Sequence, residues 1–433
     1  MTSFIYGLEE CDLCQKYGNC EYEGSIKVLS LFDGMACGML ALMVADIQVE
    51  RYVAYEIDEY AIQTSTHNFP SIEHRGDVFE GDFTEFYGFD LLMGGSPCTY
   101  WSIAQSPDKR ETTASGLGWE LFCQYVRALR EAKPKYFIYE NNKSMSNAIR
   151  ESITETFGFE PICINSALVS AQNRQRLYWV GKRDADGTYS KVNVEQPTDR
   201  GILLKDVLES GCNLSCNNKA YAHTASYNGA VPWNTIERKQ RTMVVEPVIF
   251  NKPHGFNLGG AKYDKTPTLT ANGSWQSNNF ISEPVRVGAL PRPNGKLSTS
   301  QAFRIYDISG KAVSIKANCG GAGGKTGLYA VPAEPCEWNA EGVPTKAISV
   351  ADGKAYTVYE VKNGIITIKG KEYPIKLSDG FYIIRKLTVR ECMRLQTVPE
   401  WYEFPVSNTQ AYRMLGNGWT VDVIVHLLNS AFA

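Results

Sequence analysis

Between about residues 26 and 181, hydrophobic positions fall in short continuous runs separated by stretches with helical spacing. IKVLSLF (Ile26–Phe32) is apolar almost throughout, which predicts a strand buried on both faces. A Gly-bearing loop follows, then MLALMVAD with helical spacing. ERYVAYE (Glu50–Glu56) predicts a second strand and EYAIQTSTHN a second helix. FDLLMGG (Phe89–Gly95) and KYFIYEN (Lys135–Asn141) predict further buried strands, with the helical pattern WELFCQYVRALREA between them. PICINSALV and RLYWVGK close the series. Strands alternating with helices imply βαβ units and a mostly parallel sheet, whose ligands sit beyond the C-terminal ends of the strands.

From about Thr198 the helical period fades and Gly, Asn, Ser, Thr and Pro rise. KTPTLTANG (Lys265–Gly273) is echoed by KAVSIKANCG (Lys311–Gly320), and Glu-Pro-Val occurs at Glu246–Val248 and Glu283–Val285. Two copies are too few for a solenoid and suggest a duplicated β element. Ala355–Ile384 reads as β-hairpins with turns at Asn363-Gly364 and Asp379-Gly380. Helical spacing returns with TVRECMRLQ and with the closing VDVIVHLLNSAF. The predicted organisation is an α/β domain over residues 1–197, a β-rich domain over 198–384 and a return to the first domain over 385–433.

Composition narrows the classes. A chain of 433 residues exceeds what one core usually holds, so two domains are expected. No apolar run reaches the ~20 residues that span a bilayer, and MTSFIYGLEECD lacks the basic start of a signal peptide. The chain is therefore read as cytoplasmic and its twelve Cys as thiols. Cys11, Cys14 and Cys20 are the alternative, as the start of a zinc site completed by Cys212 or Cys216. With five His and no H-E-x-x-H, no catalytic metal is expected.

The chemistry-bearing residues follow the strands. FDGMACG carries Gly34 and Gly38 in a spacing that differs from the dinucleotide fingerprint. Glu56, at the end of the second strand and followed by Ile57 and Asp58, can accept both hydroxyls of a ribose. Asp77, in Gly76-Asp77-Val78, can accept from an adenine amino group. These signals in register favour an adenosine-bearing cofactor. GGSPC places Cys98 on a loop at the same edge, as a candidate nucleophile. Glu140 ends the next strand there, and Arg174 and Arg176 alternate at the start of QNRQRLYWVG, where Arg needs an anionic or polar target.

SLFDGMACG, EIDEYA, GDV, GGSPC, ENN, QNRQRLYWVG, RKLTVRECMRLQTVPE and MLGNGWTV occur in the order found in the cytosine-C5 DNA methyltransferases, which the chain resembles. Its SLFDG start and GNGWTV end look more like the de novo branch, or phage relatives of it, than the commonest bacterial form. The resemblance implies a Rossmann-like methyltransferase sheet with a smaller β-rich target-recognition domain. It implies S-adenosyl-L-methionine as cofactor, carried by Phe32, Asp33, Gly34, Glu56, Asp77 and Asn417, with Ile57 and Val78 beside them. It also implies Cys98 as nucleophile at cytosine C6, Glu140 at N3, and Arg174 and Arg176 around a flipped base. An Arg near Cys98 is expected to lower its pKa. Ser102 and Gln105 are expected in a loop closing over the site. Two departures stand out: Glu-Asn-Asn replaces the usual Glu-Asn-Val, and Gly-Asn-Gly-Trp-Thr-Val the usual Gly-Asn-Ser-Val.

Net charge is −3, which taken over the whole chain argues against nucleic acid. Yet Arg238–Ala330 holds thirteen basic and four acidic residues, so a basic segment is hidden in an acidic frame. Its loops at Asn272–Asn279 and Asn318–Lys325 are the candidates for reading double-stranded DNA. A monomer with no obligate protein partner and no membrane is expected. The alternatives are tRNA as substrate, against which the long basic insertion argues, and a non-catalytic DNA-binding homologue, against which the complete Cys98, Glu140 and Arg176 set argues.

Overall fold

β1 (Ile26–Leu31) lies inside the first sheet, and only Lys27 of its six residues escapes full burial, which accounts for its lack of polar alternation. It is flanked by β2 (Val49–Tyr55) on one side and, on the other, by β4 (Leu91–Gly94), next to β5 (Tyr136–Asn142). The computed structural model describes residues 24–102, 108–209, 218–248 and 333–432, apart from positions 369, 376 and 378. It also gives the backbone of strand segments at 212–213, 250–251, 279–280, 286–289 and 304–306. The described residues form two compact units. One holds those up to Ile202, Thr224–Asn228 and those from Met393 onward; the other holds Leu203–His223 and Gly229–Cys392. The sequence reading set the boundaries at 197/198 and 384/385.

In the first unit the order is β3-β2-β1-β4-β5-β7-β6, where β3 is Glu73–His74, β6 Ile162–Asn165 and β7 Gln175–Arg183; β8 (Tyr189–Lys191) extends it from β7. Strands β1 to β5 pair in parallel. Their register aligns Tyr55, Leu31, Gly94 and Tyr139 in one row. The residues after that row therefore share one edge: Phe32 and Asp33, Glu56, Gly95 to Cys98, and Glu140. β7 runs antiparallel to β5 with Asn142 opposite Arg176, so the start of β7 reaches the edge where β5 leaves it.

Helices cover the faces. α1 (Cys37–Val44) packs against α6 (Val421–Phe432), whose Val421, Ile424, Val425 and Leu428 are buried. α2 (Glu59–Asn68) starts where the Asp58 carboxylate accepts from the amide of Tyr60 at 3.0 Å. α3 (Gly116–Ala132) buries Phe122, Tyr125, Val126 and Leu129, one stripe at helical spacing. α4 (Asn147–Phe157) is capped by Ser146 and stopped by Gly158 at φ 81. α5 (Asn408–Asn417) leads into the Gly-Trp-Thr-Val segment. The family to which the sequence points and this sheet agree on a Rossmann-like α/β fold.

Several boundaries differ from the sequence reading. β1 ends at Leu31 because Phe32 takes φ 58, a left-handed conformation incompatible with a strand. β4 begins at Leu91 because the Phe89 amide closes a turn onto Phe86 and Asp90 accepts from the Lys27 amide. PICINSALV is a strand only over Ile162–Asn165; the Asn165 side chain caps a 3-10 turn that follows. In the second unit a sheet runs in the order Glu334–Trp338, Pro344–Ile348, Ala355–Lys362, Gly380–Lys386, Met243–Pro247, Cys212–Asn213, with Ile365–Ile368 and Lys371–Pro374 extending it. Asn363 and Gly364, at φ 52 and 71, turn the first hairpin as expected. The second hairpin turns at Gly370, between Ile368 and Lys371. Asp379-Gly380 is no hairpin turn, because the strand it opens pairs with Ala355–Lys362 and Met243–Pro247 instead.

Cys11, Cys14, Cys20, Cys216, Gln105, both echoed segments, Asn318–Lys325 and nearly all of Asn272–Asn279 lie outside the described residues, as does most of the basic segment. Among the described residues no helix is long and apolar enough to cross a membrane.

Candidate active site

The aligned strand ends of the first unit open onto a cavity of about 190 Å³. Its walls bring together Phe32, Asp33, Gly34, Glu56, Cys98, Glu140 and Asn417 of the sequence-predicted set. The β1 side is built by unusual backbone. Phe32, Gly34 and Ala36 all have φ near +60, so the loop coils tightly and turns its amides inward. The Gly34 amide donates to Glu56 Oε2 at 2.7 Å, while Oε1 accepts from the amides of Ile57 and Asp58, each at 2.9 Å. Glu56 is thereby locked in one orientation. Asp33 Oδ1 accepts from Ser30 Oγ at 2.6 Å and Tyr52 Oη at 2.7 Å, but its buried Oδ2 has no partner among the described residues. Burial pushes the Asp33 carboxyl up to about 6, against the pull of those two hydroxyls.

The β4–β5 side carries the reactive groups. Gly94 and Gly95 are required by close approach: a Cβ on Gly94 would stand 2.6 Å from the Leu31 carbonyl oxygen. One on Gly95 would stand 2.7 Å from that of Glu140 and 2.9 Å from Glu140 Oε2. Ser96 is fixed by Tyr139 Oη at 2.7 Å, and its carbonyl accepts from Asn141 Nδ2 at 3.1 Å. Pro97 then presents Cys98 at the head of a 3-10 turn, where the amides of Trp101 and Ser102 donate to the Cys98 carbonyl at 3.2 and 3.0 Å. Ser102 thus serves the Cys98 turn.

Glu140 is gripped at both oxygens. Arg176 Nε lies 3.0 Å from Oε1, and the Trp419 indole N–H donates to Oε2 at 3.1 Å. Around Cys98 the charges oppose burial. Burial raises the thiol above its ordinary range, Arg176 pulls it down and Glu140 pushes it up, with a net rise. The expectation of a lowered pKa is corrected: the Arg is there, but desolvation outweighs it.

Residues 26–433 match the family described as C-5 cytosine-specific DNA methylase. The chain belongs to this family. Among similar proteins, the orphan methyltransferase M.SPRI of Bacillus phage SPR is 27% identical over 93% of this chain and 96% of its own length. Orphan methyltransferase M.Rho11sI of Bacillus phage rho11s is 29% identical over 71% of this chain and 60% of its own. The solved S. pombe Dnmt2 methyltransferase covers 93% of this chain and 97% of its own at 13% identity, with a TM-score of 0.45. As a DNA cytosine-5 methyltransferase, this member of the family acts in a class whose methylation depends on S-adenosyl-L-methionine.

Other predicted residues stand off the cavity wall. Ile57 is 74% exposed beyond β2. Asp77 follows β3 and accepts from the Phe79 amide at 3.0 Å. The Val78 side chain is buried in the core and its carbonyl accepts from Arg127 at 2.8 Å. Arg174 is placed differently from a base contact. Its guanidinium is buried and donates to the carbonyls of Gly416 at 3.1 Å and Gly418 at 2.9 Å. Burial and neighbouring Arg176 pull it down to about 10. The departure at Asn142 is polar and satisfied: Nδ2 donates to Asn141 Oδ1 at 3.1 Å, and Oδ1 accepts from Ser144 Oγ at 2.7 Å.

Sequence reasoning missed four supports. Tyr52 and Ser30 hold Asp33, and Tyr139 and Asn141 hold Ser96; Tyr52 and Tyr139 are core strand residues outside the motifs, while Ser30 and Asn141 stand in SLFDGMACG and ENN without a role having been read for them. Arg413 of α5 pairs with Asp58 at the cavity rim. Trp419 is the fourth, and the inserted Trp in Gly-Asn-Gly-Trp was the signal available for it.

Proposed function

We propose that the protein methylates C5 of a cytosine flipped out of double-stranded DNA, through a covalent bond between Cys98 and C6. The observation that carries this reading is the convergence at one sheet edge of Cys98 with a Glu140 carboxyl that bears Arg176. Cytosine C5 is a poor nucleophile in an electron-poor ring. Attack of the Cys98 thiolate on C6 forms the S–C6 bond and pushes the C5–C6 electron pair toward C5, with charge shared onto N3 and O2. A proton on Glu140 passes to N3, and Arg176 meets the charge at O2. The cofactor, when bound, supplies an electrophilic methyl group to C5. Loss of the C5 proton to a base, water being sufficient, restores the C5–C6 double bond and expels the Cys98 thiolate, while the N3 proton returns to the Glu140 carboxylate. Burial holds the Cys98 thiol up, so its proton must pass to water as the thiolate forms, and Arg176 is the group that lowers the cost of that ionisation.

The residues fit S-adenosyl-L-methionine. The unpartnered Asp33 Oδ2 offers an anion to an ammonium, and an ammonium there would relieve the burial that raises this carboxyl. Glu56, locked by three amides, keeps one of its roughly four lone-pair sites, on Oε2, for a ribose hydroxyl. Phe32, Gly34 and Asn417 form wall around it, and the family resemblance alone assigns Asp77, Ile57 and Val78, which stand off that wall, to the cofactor. Arg174 acts as a positioning residue that holds the Gly416–Gly418 turn. Duplex DNA is favoured by the thirteen-to-four excess of basic residues over Arg238–Ala330. Unstacking the base costs a few kcal/mol.

DNA carrying 5-fluorocytosine, which has no C5 proton to lose, should become covalently trapped on the protein when the cofactor is present. Absence of trapping sinks the covalent reading. Conversion sequencing of DNA from a methylation-free host that expresses the protein identifies the substrate; a mark found on tRNA alone overturns the DNA assignment.

A further inference from the structure

Glu140 has one donor on each carboxyl oxygen, and the two differ in freedom. Arg176 comes from the start of β7 and, in the proposed function, is also the group that meets O2 of the base. Its five N–H donors are divided among Glu140 Oε1, the Gln175 carbonyl at 2.9 Å and, in that function, the base. The Trp419 indole is a donor only and has no second task among its hydrogen bonds. Its backbone neighbours are pinned from several sides. The Gly418 amide donates to the Met414 carbonyl at 2.7 Å, and the Gly418 carbonyl accepts from Arg174 at 2.9 Å. Thr420 Oγ1 donates to Gln396 Oε1 at 2.8 Å and meets Ser166 Oγ at 2.8 Å. Both residues flanking Trp419 are therefore fixed by a polar network, which sets the indole rigidly against the carboxyl.

We propose that Trp419 is a positioning residue for Glu140: its indole N–H, committed to Oε2 alone, holds the carboxyl in place while the Arg176 guanidinium is shared between Oε1 and the base, so that the carboxyl keeps its aim at N3. This rests on the acid role given to Glu140 above. The Trp in Gly-Asn-Gly-Trp-Thr-Val, where Gly-Asn-Ser-Val is usual, is then part of the proton-transfer apparatus of this chain as well as cavity wall.

The test uses the full-length protein, duplex DNA and S-adenosyl-L-methionine. Trp419→Phe removes the N–H. Site-specific replacement of Trp419 by benzothienylalanine removes the N–H but keeps the bicyclic ring, and so guards against misfolding of the Phe variant. In both, kcat should fall roughly 10- to 100-fold, the range for one lost donor at a general acid, with KM for DNA and for cofactor within about threefold. In a double-mutant cycle under single-turnover conditions, Trp419→Phe should slow Glu140→Gln no further, because its effect passes through that carboxyl. Wild-type kcat in the benzothienyl variant overturns the proposal. So does an equal further loss on the Glu140→Gln background, and so does a tenfold rise in cofactor Kd with kcat intact, which would make Trp419 wall alone. Wild-type turnover by Glu140→Gln would overturn the acid role of Glu140 itself, which separates failure of the underlying reading from failure of this one.

Discussion

The two sides of the cavity are held by different means. On the β1–β2 side the loop and Glu56 are fixed by backbone, with three left-handed residues in five and a carboxylate that takes three amides; Asp33 alone there is held by side chains, the Ser30 and Tyr52 hydroxyls. On the β4–β5 side they are fixed by side chains reaching across strands and from the C-terminal segment: Arg176 and Trp419 on Glu140, Asn141 and Tyr139 on Ser96. Amides cannot exchange partners without unfolding the loop, whereas side chains can rotate. The arrangement therefore suits a static binding surface on one side and groups that change partner during a reaction on the other. It also predicts where substitutions hurt: chemistry on the β4–β5 side, affinity and stability on the β1–β2 side.

The largest effect tests the reactive side directly. Cys98→Ser should lower turnover by roughly 10³-fold or more and abolish the adduct with 5-fluorocytosine DNA, with cofactor affinity measured by calorimetry unchanged. A persistent adduct would transfer the nucleophile's role elsewhere. Next comes Arg176→Gln, expected to cost about 100-fold in the methylation rate, the scale of one donor lost from developing charge. It has a second readout. Arg176 is the main group pulling the Cys98 thiol down, so its removal should move the pH midpoint of Cys98 alkylation upward, beyond a wild-type midpoint that burial has already raised. An unchanged midpoint would show that the two groups do not interact.

This contrast explains what was legible in the sequence. Strand runs such as IKVLSL and YFIYENN are nearly all buried, so composition alone marks them, and the Gly and acidic residues just after them mark the edge. Helix α2 was read to the residue because Asp58 caps it and its apolar spacing is clean. Where local side chains redirect the backbone, the pattern misled: Phe32 is apolar yet left-handed, and Asn165 stops a run that composition continues. The reactive trio was legible because loop Cys and strand-end Glu and Arg are costly without a task. Arg174 and Arg176 look alike in sequence, but Arg176 on β7 reaches Glu140, whereas Arg174, just before the strand, reaches the Gly416 and Gly418 carbonyls. The sign of the Cys98 shift needed burial, which no motif carries.

On the backbone-built side, Asp33→Asn should weaken S-adenosyl-L-methionine binding roughly 10- to 100-fold, the worth of a hydrogen bond to a charged group, and leave the single-turnover rate at saturation near wild type. The titration gives a sharper form. The Asp33 carboxyl sits near 6 in the folded protein and near 4 in an unfolded chain. Between those values the folded protein keeps a proton that the unfolded chain has released. Its contribution to stability is therefore present below about pH 4 and is lost as the pH rises through about 6. Wild-type cofactor affinity should fall as the pH drops through about 6, while Asp33→Asn should bind with little pH dependence across that range. Calorimetry at pH 5.5 and 7.5 reads both, and an Asn variant that keeps the wild-type pH dependence removes Asp33 from the cofactor contact.

The smallest effect isolates the backbone contribution itself. Gly34 has φ 59, and a Cβ added there meets no protein atom within 4 Å. Ala at this position therefore costs conformational strain without a clash within the protein, about 1 kcal/mol for a left-handed residue. The strain belongs to the folded loop itself, whose Gly34 amide is held by Glu56 at 2.7 Å. Its cost should accordingly appear in denaturant unfolding, as about 1 kcal/mol of lost stability, with the methylation rate at saturating cofactor and DNA unchanged. Should Gly34→Ala instead slow the chemical step by tenfold or more, the loop must move during the reaction, and the division between a static and a mobile side of the cavity would fail.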